Sequence, residues 1–152
     1  MTLGTDGAAI SRFLDLVRVM YLAAAVHKDA RADPHVMPAT AVFEMATING
    51  AKAARWEDTI GSIEVGKAAD LVMFDASGLT FSPNRLADPV NDLIYAASGS
   101  DAETVLIDGR VVMNEGKLLS VDLAALVADV DSAAASALGR LGRAQRPGWP
   151  MV

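Results

Sequence analysis

Cysteine is absent from the 152 residues, which excludes a disulfide framework, a cysteine-ligated zinc and a thiolate nucleophile. A basic surplus is also missing. Thirteen Lys and Arg stand against nineteen Asp and Glu, for a net charge of −6, and that balance repels phosphate backbones and anionic membrane surfaces. We therefore expect neither nucleic acid nor membrane as a partner. No stretch approaches the roughly 20 apolar residues of a bilayer crossing, and no basic segment followed by an apolar run opens the chain. No internal repeat is present either. These absences lead us to expect a soluble protein, and the lack of cysteine fits a reducing cytoplasm.

What remains is ordinary material for a folded domain. At 52% hydrophobic and 21% charged, a chain of this length can bury a real core. From Ile10 to Lys28 the large apolar residues Ile10, Phe13, Leu14, Val17, Met20 and Tyr21 keep helical spacing, so the pattern predicts one helix, ended by "ADPHVMP". A second helical stretch, about Ala39 to Arg55, is interrupted by "TING"; Thr47 is placed to cap a new start. After Trp56, glycines at 61 and 66 flank a polar turn that leads into a short strand, Leu71 to Phe74. The segment 76–91, with Pro83 and Pro89, reads as a loop. "TVLIDGRVVM" gives two strands joined at Asp108-Gly109, a strong signal for a tight hairpin. Asp122 can cap a last helix with apolar residues at Leu123, Leu126, Val127, Val130, Leu138 and Leu141. The tail that follows reads as an extended arm docked through Trp149.

The stretch that points to chemistry is "LGTDG", residues 3–7. On spacing alone, Asp6 is either a turn acid before glycine or a cap for the helix after it. Ser11 and Arg12 follow closely enough to face a ligand, though Ser11 can equally cap the helix and Arg12 can point to water. Lys67 and Asp70 in "VGKAAD" belong to a turn that leads into a strand, which is a matter of stability. Thr47 and Asn49 read as structural.

"LGTDG", "LDLVRVMYLAAAVHK", "EMATINGAKAA", "IGSIEVGKAADLVMFD" and "DPVNDLIYAASGSDAETVLIDGRVVM" occur in this order across roughly residues 3 to 115. Together they resemble the C-terminal part of the metal-dependent amidohydrolase superfamily, in the branch of cytosine/guanine deaminase-like and triazine-hydrolase-like enzymes that includes S-adenosylhomocysteine/methylthioadenosine deaminases. The resemblance implies an α/β fold: residues 1–58 as the end of a (β/α)8 barrel, 59–120 as a segment of a composite β-sandwich, and 121–152 as a C-terminal helix and tail. It implies that Asp6 ends the last barrel strand, binds a divalent metal and takes a proton from the water that the metal activates, with Ser11 as a substrate-binding residue. The metal it implies is zinc, with iron or manganese as alternatives. The implied substrate is a heteroaromatic ring such as a purine, pyrimidine or triazine, which loses an amine or a chloride by hydrolysis.

The family also needs a His-x-His pair, further histidines and a proton-shuttling Glu, whereas the only histidines are His27 and His35, in neither of those patterns. A whole barrel takes about 250 residues. The expectation is thus a C-terminal portion, inactive alone, that requires the missing N-terminal barrel or assembles as a homo-oligomer. A non-catalytic module that packs against another chain is the alternative.

Overall fold

Three helix starts are set by an aspartate whose side chain satisfies amide N–H groups that have no partner within the helix. In the computed structural model, which describes residues 1–83 and 87–142, Asp15 does this for α2, Leu16–Arg31, accepting from Val17 N–H at 2.9 Å and Arg18 N–H at 3.2 Å. The helix expected from Ile10 to Lys28 is therefore divided. A four-residue α1, Ala8–Ser11, ends on Arg12 in the left-handed conformation, and the chain is non-helical until Asp15. The helical spacing does describe a buried stripe from Val17 onward, through Met20 and Ala24, but Ile10 and Leu14 are 75% and 69% exposed.

The stretch after Pro38 splits as "TING" suggested, into α3, Ala39–Ala46, and α4, Ile48–Ala54. Thr47 does not cap α4, however. Its hydroxyl donates back to the Phe43 carbonyl at 2.8 Å, one turn earlier, a bond that competes with the cap. The loop from Ala76 contains a short 3-10 turn, Leu79–Phe81, and leads to α5, Pro89–Tyr95. Pro89 opens α5, where a missing N–H costs nothing, and Asp88 caps it.

The chain forms two compact units, Met1–Lys117 and Leu118–Val152. The core of the first unit lies where α2, α3 and α5 meet: Val17, Met20 and Ala24 against Ala39, Val42 and Ile94, with Leu3 and Phe74 packed at its margin. Ala24, Val42 and Ile94 are fully buried. Lys28 closes one end of this cluster by donating to the Met37 carbonyl at 2.9 Å and to the Tyr95 hydroxyl at 2.8 Å.

The sheet runs in the order β1-β2-β3-β4. β1, Leu71–Phe74, pairs antiparallel with β2, Ala102–Ile107, placing Leu71 opposite Leu106 and Val72 opposite Val105. β2 turns back into β3, Arg110–Asn114, with Ile107 opposite Arg110 and a register irregularity between Val105 and Leu106. The two-residue β4, Lys117–Leu118, lies at the far edge.

The hairpin bends where expected: Asp108 and Gly109 have φ of 49° and 73°, as a type I′ turn requires at both central positions. Its tip is fastened from outside, because Asp108 N–H donates to Asp70 Oδ1 at 2.7 Å and Gly109 N–H to the Ala69 carbonyl at 3.1 Å. Asp70 is structural, as its motif implied. Lys67 binds Glu64 at 3.1 Å and donates to the Ser62 hydroxyl at 2.6 Å. The Ser62 hydroxyl, then Lys67, holds the Glu64 carboxyl below the usual carboxylate range. Gly61 lets this loop close on α4, since a Cβ there would sit 2.7 Å from the Ala51 Cβ.

The second unit carries α6, Leu123–Arg140, capped as expected by Asp122, which accepts from Ala124 N–H and Ala125 N–H. No residue of α6 is buried. The arm expected to dock through Trp149 lies outside the described residues.

Replacing Ile94 by Ala should cost about 2–5 kcal/mol, the range for deleting buried methylenes from a site that cannot collapse. Gly109→Val should cost about 1–2 kcal/mol through backbone strain, because no atom lies within 4 Å to clash with the new side chain. Urea unfolding of both variants measures the two costs.

Candidate functional site

The break at Thr47 has a consequence for the opposite end of the chain. With α3 ending at Ala46, the Met45 carbonyl accepts from Leu3 N–H at 3.1 Å and from the Thr2 hydroxyl at 3.0 Å. Gly50 leaves room for this contact, since a Cβ there would stand 3.3 Å from the Thr2 hydroxyl oxygen. Leu3 is anchored next to the core, and the chain leaves it toward Asp6. No strand forms in residues 1–7.

Asp6 stands in the left-handed region at φ 57°, which Asp tolerates better than most side chains. Its Oδ1 accepts from Gly7 N–H at 2.6 Å, while the Thr5 hydroxyl donates to its carbonyl at 3.2 Å. The carboxylate is exposed and its other oxygen has no hydrogen bond among the described residues. An anionic oxygen held at a fixed turn and open on one side suits a single metal ligand or a proton acceptor.

Ser11 lies one turn further along, at the end of α1. Its hydroxyl donates to the Phe13 carbonyl at 2.7 Å and reaches the Gly7 carbonyl at 3.3 Å, so what it has left for a ligand is acceptor capacity. Arg12 is exposed at the α1 terminus. His27 is exposed in α2, and His35 is exposed in the following loop, its N–H donating to Asp33 Oδ1. Among the described residues, no three His, Cys, Asp or Glu side chains come together in a way that could hold a metal ion. Asp6 therefore fits a metal as one donor, and this part of the chain does not complete a coordination sphere.

Helical spacing continues through Asp15, which in the structure stands outside the helix as its cap. Asp15, besides capping α2, accepts from Gly99 N–H through Oδ2 at 3.1 Å, across 84 positions of sequence. The signal in the sequence was an Asp immediately before an apolar periodic run. Beside it an open groove of about 430 Å³ is lined largely by apolar side chains, among them Leu14, Val72, Phe74 and Met113; Asp6 does not line it.

A profile of the amidohydrolase family matches residues 1–112. The chain is 41% identical over 122 residues to the 5-methylthioadenosine/S-adenosylhomocysteine deaminase of Acetivibrio thermocellus, covering 80% of this chain and 28% of that protein. An adenosine deaminase structure from Xanthomonas campestris with bound zinc superposes with a TM-score of 0.83 at 37% identity, covering 89% of this chain and 30% of that one. An atrazine chlorohydrolase from Arthrobacter aurescens, complexed with zinc, gives a TM-score of 0.72 at 26% identity, covering 83% and 28%. The chain spans less than a third of the length of each.

Since stable zinc sites take at least three protein ligands, the 152 residues alone should bind zinc no more tightly than about micromolar. Titration calorimetry reads this directly. A stoichiometric sub-micromolar site would mean that further ligands are contributed by this chain or by a second copy of it.

Proposed function

This chain belongs to the amidohydrolase family, and from that premise we propose that it supplies the C-terminal portion of a metal-dependent hydrolytic deaminase acting on 5′-substituted adenosines. The observation that carries the reading is the 41% identity to a 5-methylthioadenosine/S-adenosylhomocysteine deaminase over 80% of the chain, within a family match that includes Asp6. In this reading residues 1–58 end the (β/α)8 barrel, 59–120 contribute to a composite β-sandwich, and 121–152 add a helix and tail. The rest of the barrel, with the other metal ligands, comes from sequence beyond these 152 residues. The match over residues 1–112 favours this over a module that only packs against another chain. We place the enzyme in the cytoplasm, as a homo-oligomer.

Hydrolytic deamination replaces a ring amine by oxygen: water adds to the sp² carbon, the carbon–nitrogen bond breaks, and ammonia leaves with a proton taken from the water. A divalent metal, zinc first and iron or manganese after it, would lower the pKa of a water toward about 7. Two zinc-bearing structural neighbours support that choice. Asp6 contributes one ligand oxygen and accepts the proton of the attacking water. The left-handed turn and the Gly7 N–H hold its carboxylate in one orientation, so the acceptor need not be ordered during the reaction. Ser11, at the end of the short helix that follows the turn, faces the substrate with its acceptor lone pairs.

The test compares the full-length protein with its Asp6→Asn variant, each at matched zinc content, in steady-state deamination of 5′-methylthioadenosine. Asn preserves the shape and removes both the charge and the proton acceptor, so kcat should fall roughly a thousandfold. A variant that keeps more than about a tenth of the parent rate would remove Asp6 from this role.

A further inference from the structure

Among the described residues, the segment that carries Asp6 and Ser11 is hydrogen-bonded to the rest of the unit only at its ends, with the Arg18 guanidinium 5.0 Å from the Phe13 ring as a further contact near the far one. Among the described residues, every hydrogen bond made by residues 4–14 is internal to that segment: Thr5 hydroxyl to Asp6 carbonyl, Gly7 N–H to Asp6 carboxylate, Ser11 hydroxyl to the Gly7 and Phe13 carbonyls, and the short turn of α1. None of these residues is buried. The near end is tied at Leu3 to the Met45 carbonyl. The far end is tied at Asp15.

The two oxygens of Asp15 do different work. Oδ1 accepts from Val17 N–H and Arg18 N–H and so decides where α2 begins. Oδ2 accepts from Gly99 N–H, in the turn that leads into β2. That turn is itself stiffened: Ser98 N–H donates to the Asp101 carboxylate at 2.7 Å, which closes a capping box around it. The fit is also tight on the Gly99 side, where a Cβ would come 2.9 Å from Asp15 Oδ1 and 3.1 Å from Cγ. A helix cap alone needs neither the second oxygen nor a glycine opposite.

We propose that Asp15 is a positioning residue for Asp6: by bonding Gly99 N–H with one oxygen while capping α2 with the other, it fixes the far end of segment 4–14 against the sheet and so sets where the Asp6 turn stands. This rests on the reading of Asp6 given above. The link from Asp15 back to Asp6 runs through Phe13, whose carbonyl holds Ser11, and through Ser11 to Gly7.

Two substitutions cut this link from opposite sides, the first of them without removing the cap. In Asp15→Asn the remaining carbonyl oxygen caps α2, since Asn caps about as well as Asp, while the amide nitrogen turns a donor toward the Gly99 donor. In Gly99→Ala the carboxylate keeps both oxygens, and the new methyl, 2.9 Å from Oδ1, pushes it away from the Gly99 N–H. Each variant of the full-length zinc-loaded protein should lower kcat for 5′-methylthioadenosine about tenfold to a hundredfold, with KM within about threefold of the parent. The double variant should lose no more than the worse single, because both act on one contact. Hydrogen exchange at the Ile10, Ser11 and Arg12 amides, which bond only within the segment, should speed up in both.

Parent values of kcat and exchange in either single variant would overturn the proposal. So would losses that add in the double variant and follow thermal stability alone, the pattern of a purely structural contact. If the parent enzyme itself fails to deaminate, the deaminase reading falls separately, and exchange then decides: faster exchange in both variants upholds the clamp on this segment, and unchanged exchange overturns it.

Discussion

The carboxylate of Asp15 accepts three backbone N–H groups, two from the first turn of α2 and one from Gly99, and the arrangement of the first unit depends on that one group. Hydrogen bonds to an ionised acceptor are roughly twice as strong as those between neutral groups. By fixing the start of α2, Asp15 sets the phase with which Val17, Met20 and Ala24 turn toward Val42 and Ile94. By holding Gly99, it joins that helix to the sheet just before β2. The Met45 carbonyl does the complementary work at the other side, because the helix break at Thr47 leaves it free to accept from Leu3 N–H and the Thr2 hydroxyl.

How much of this is legible in the sequence follows from the distance between partners. The hairpin at Asp108-Gly109, the cap at Asp122 and the split at "TING" were readable because each depends on neighbours within a few residues. The division between α1 and α2 was not. Ile10, Phe13, Leu14 and Val17 keep helical spacing across it, and periodicity cannot register that Arg12 takes a left-handed conformation or that Asp15 has withdrawn its backbone from the helix to become a cap. The bonds from Asp15 to Gly99 and from Asp70 to Asp108 span 84 and 38 positions, and nothing local marks either pair. Of the candidate site, the sequence offered the acid and its turn. It did not show the bond from Gly99 N–H to Asp15 at the far end of that segment.

In the proposed reading, the chemistry that falls on this chain lies in one carboxylate, that of Asp6. That fits the general logic of barrel enzymes, in which each strand end contributes a residue or two and the complete site exists only when the ends are brought together. The described residues mirror this division: the core and sheet are dense in mutual contacts, while Asp6 and the residues after it bond chiefly to themselves.

Because no side chain between Gly4 and Leu14 is buried, the amino acids there are not bound by the volume constraints that govern Val42 or Ile94. Substitutions within the stretch, away from Asp6, Gly7 and Ser11, leave both fastenings intact, so sequence drift can explore those positions cheaply. Loops on a rigid scaffold are where enzyme families diversify. In the proposed reading, the residues just beyond Asp6 form such a plot: the surface next to the acid can be refitted without repacking the interior.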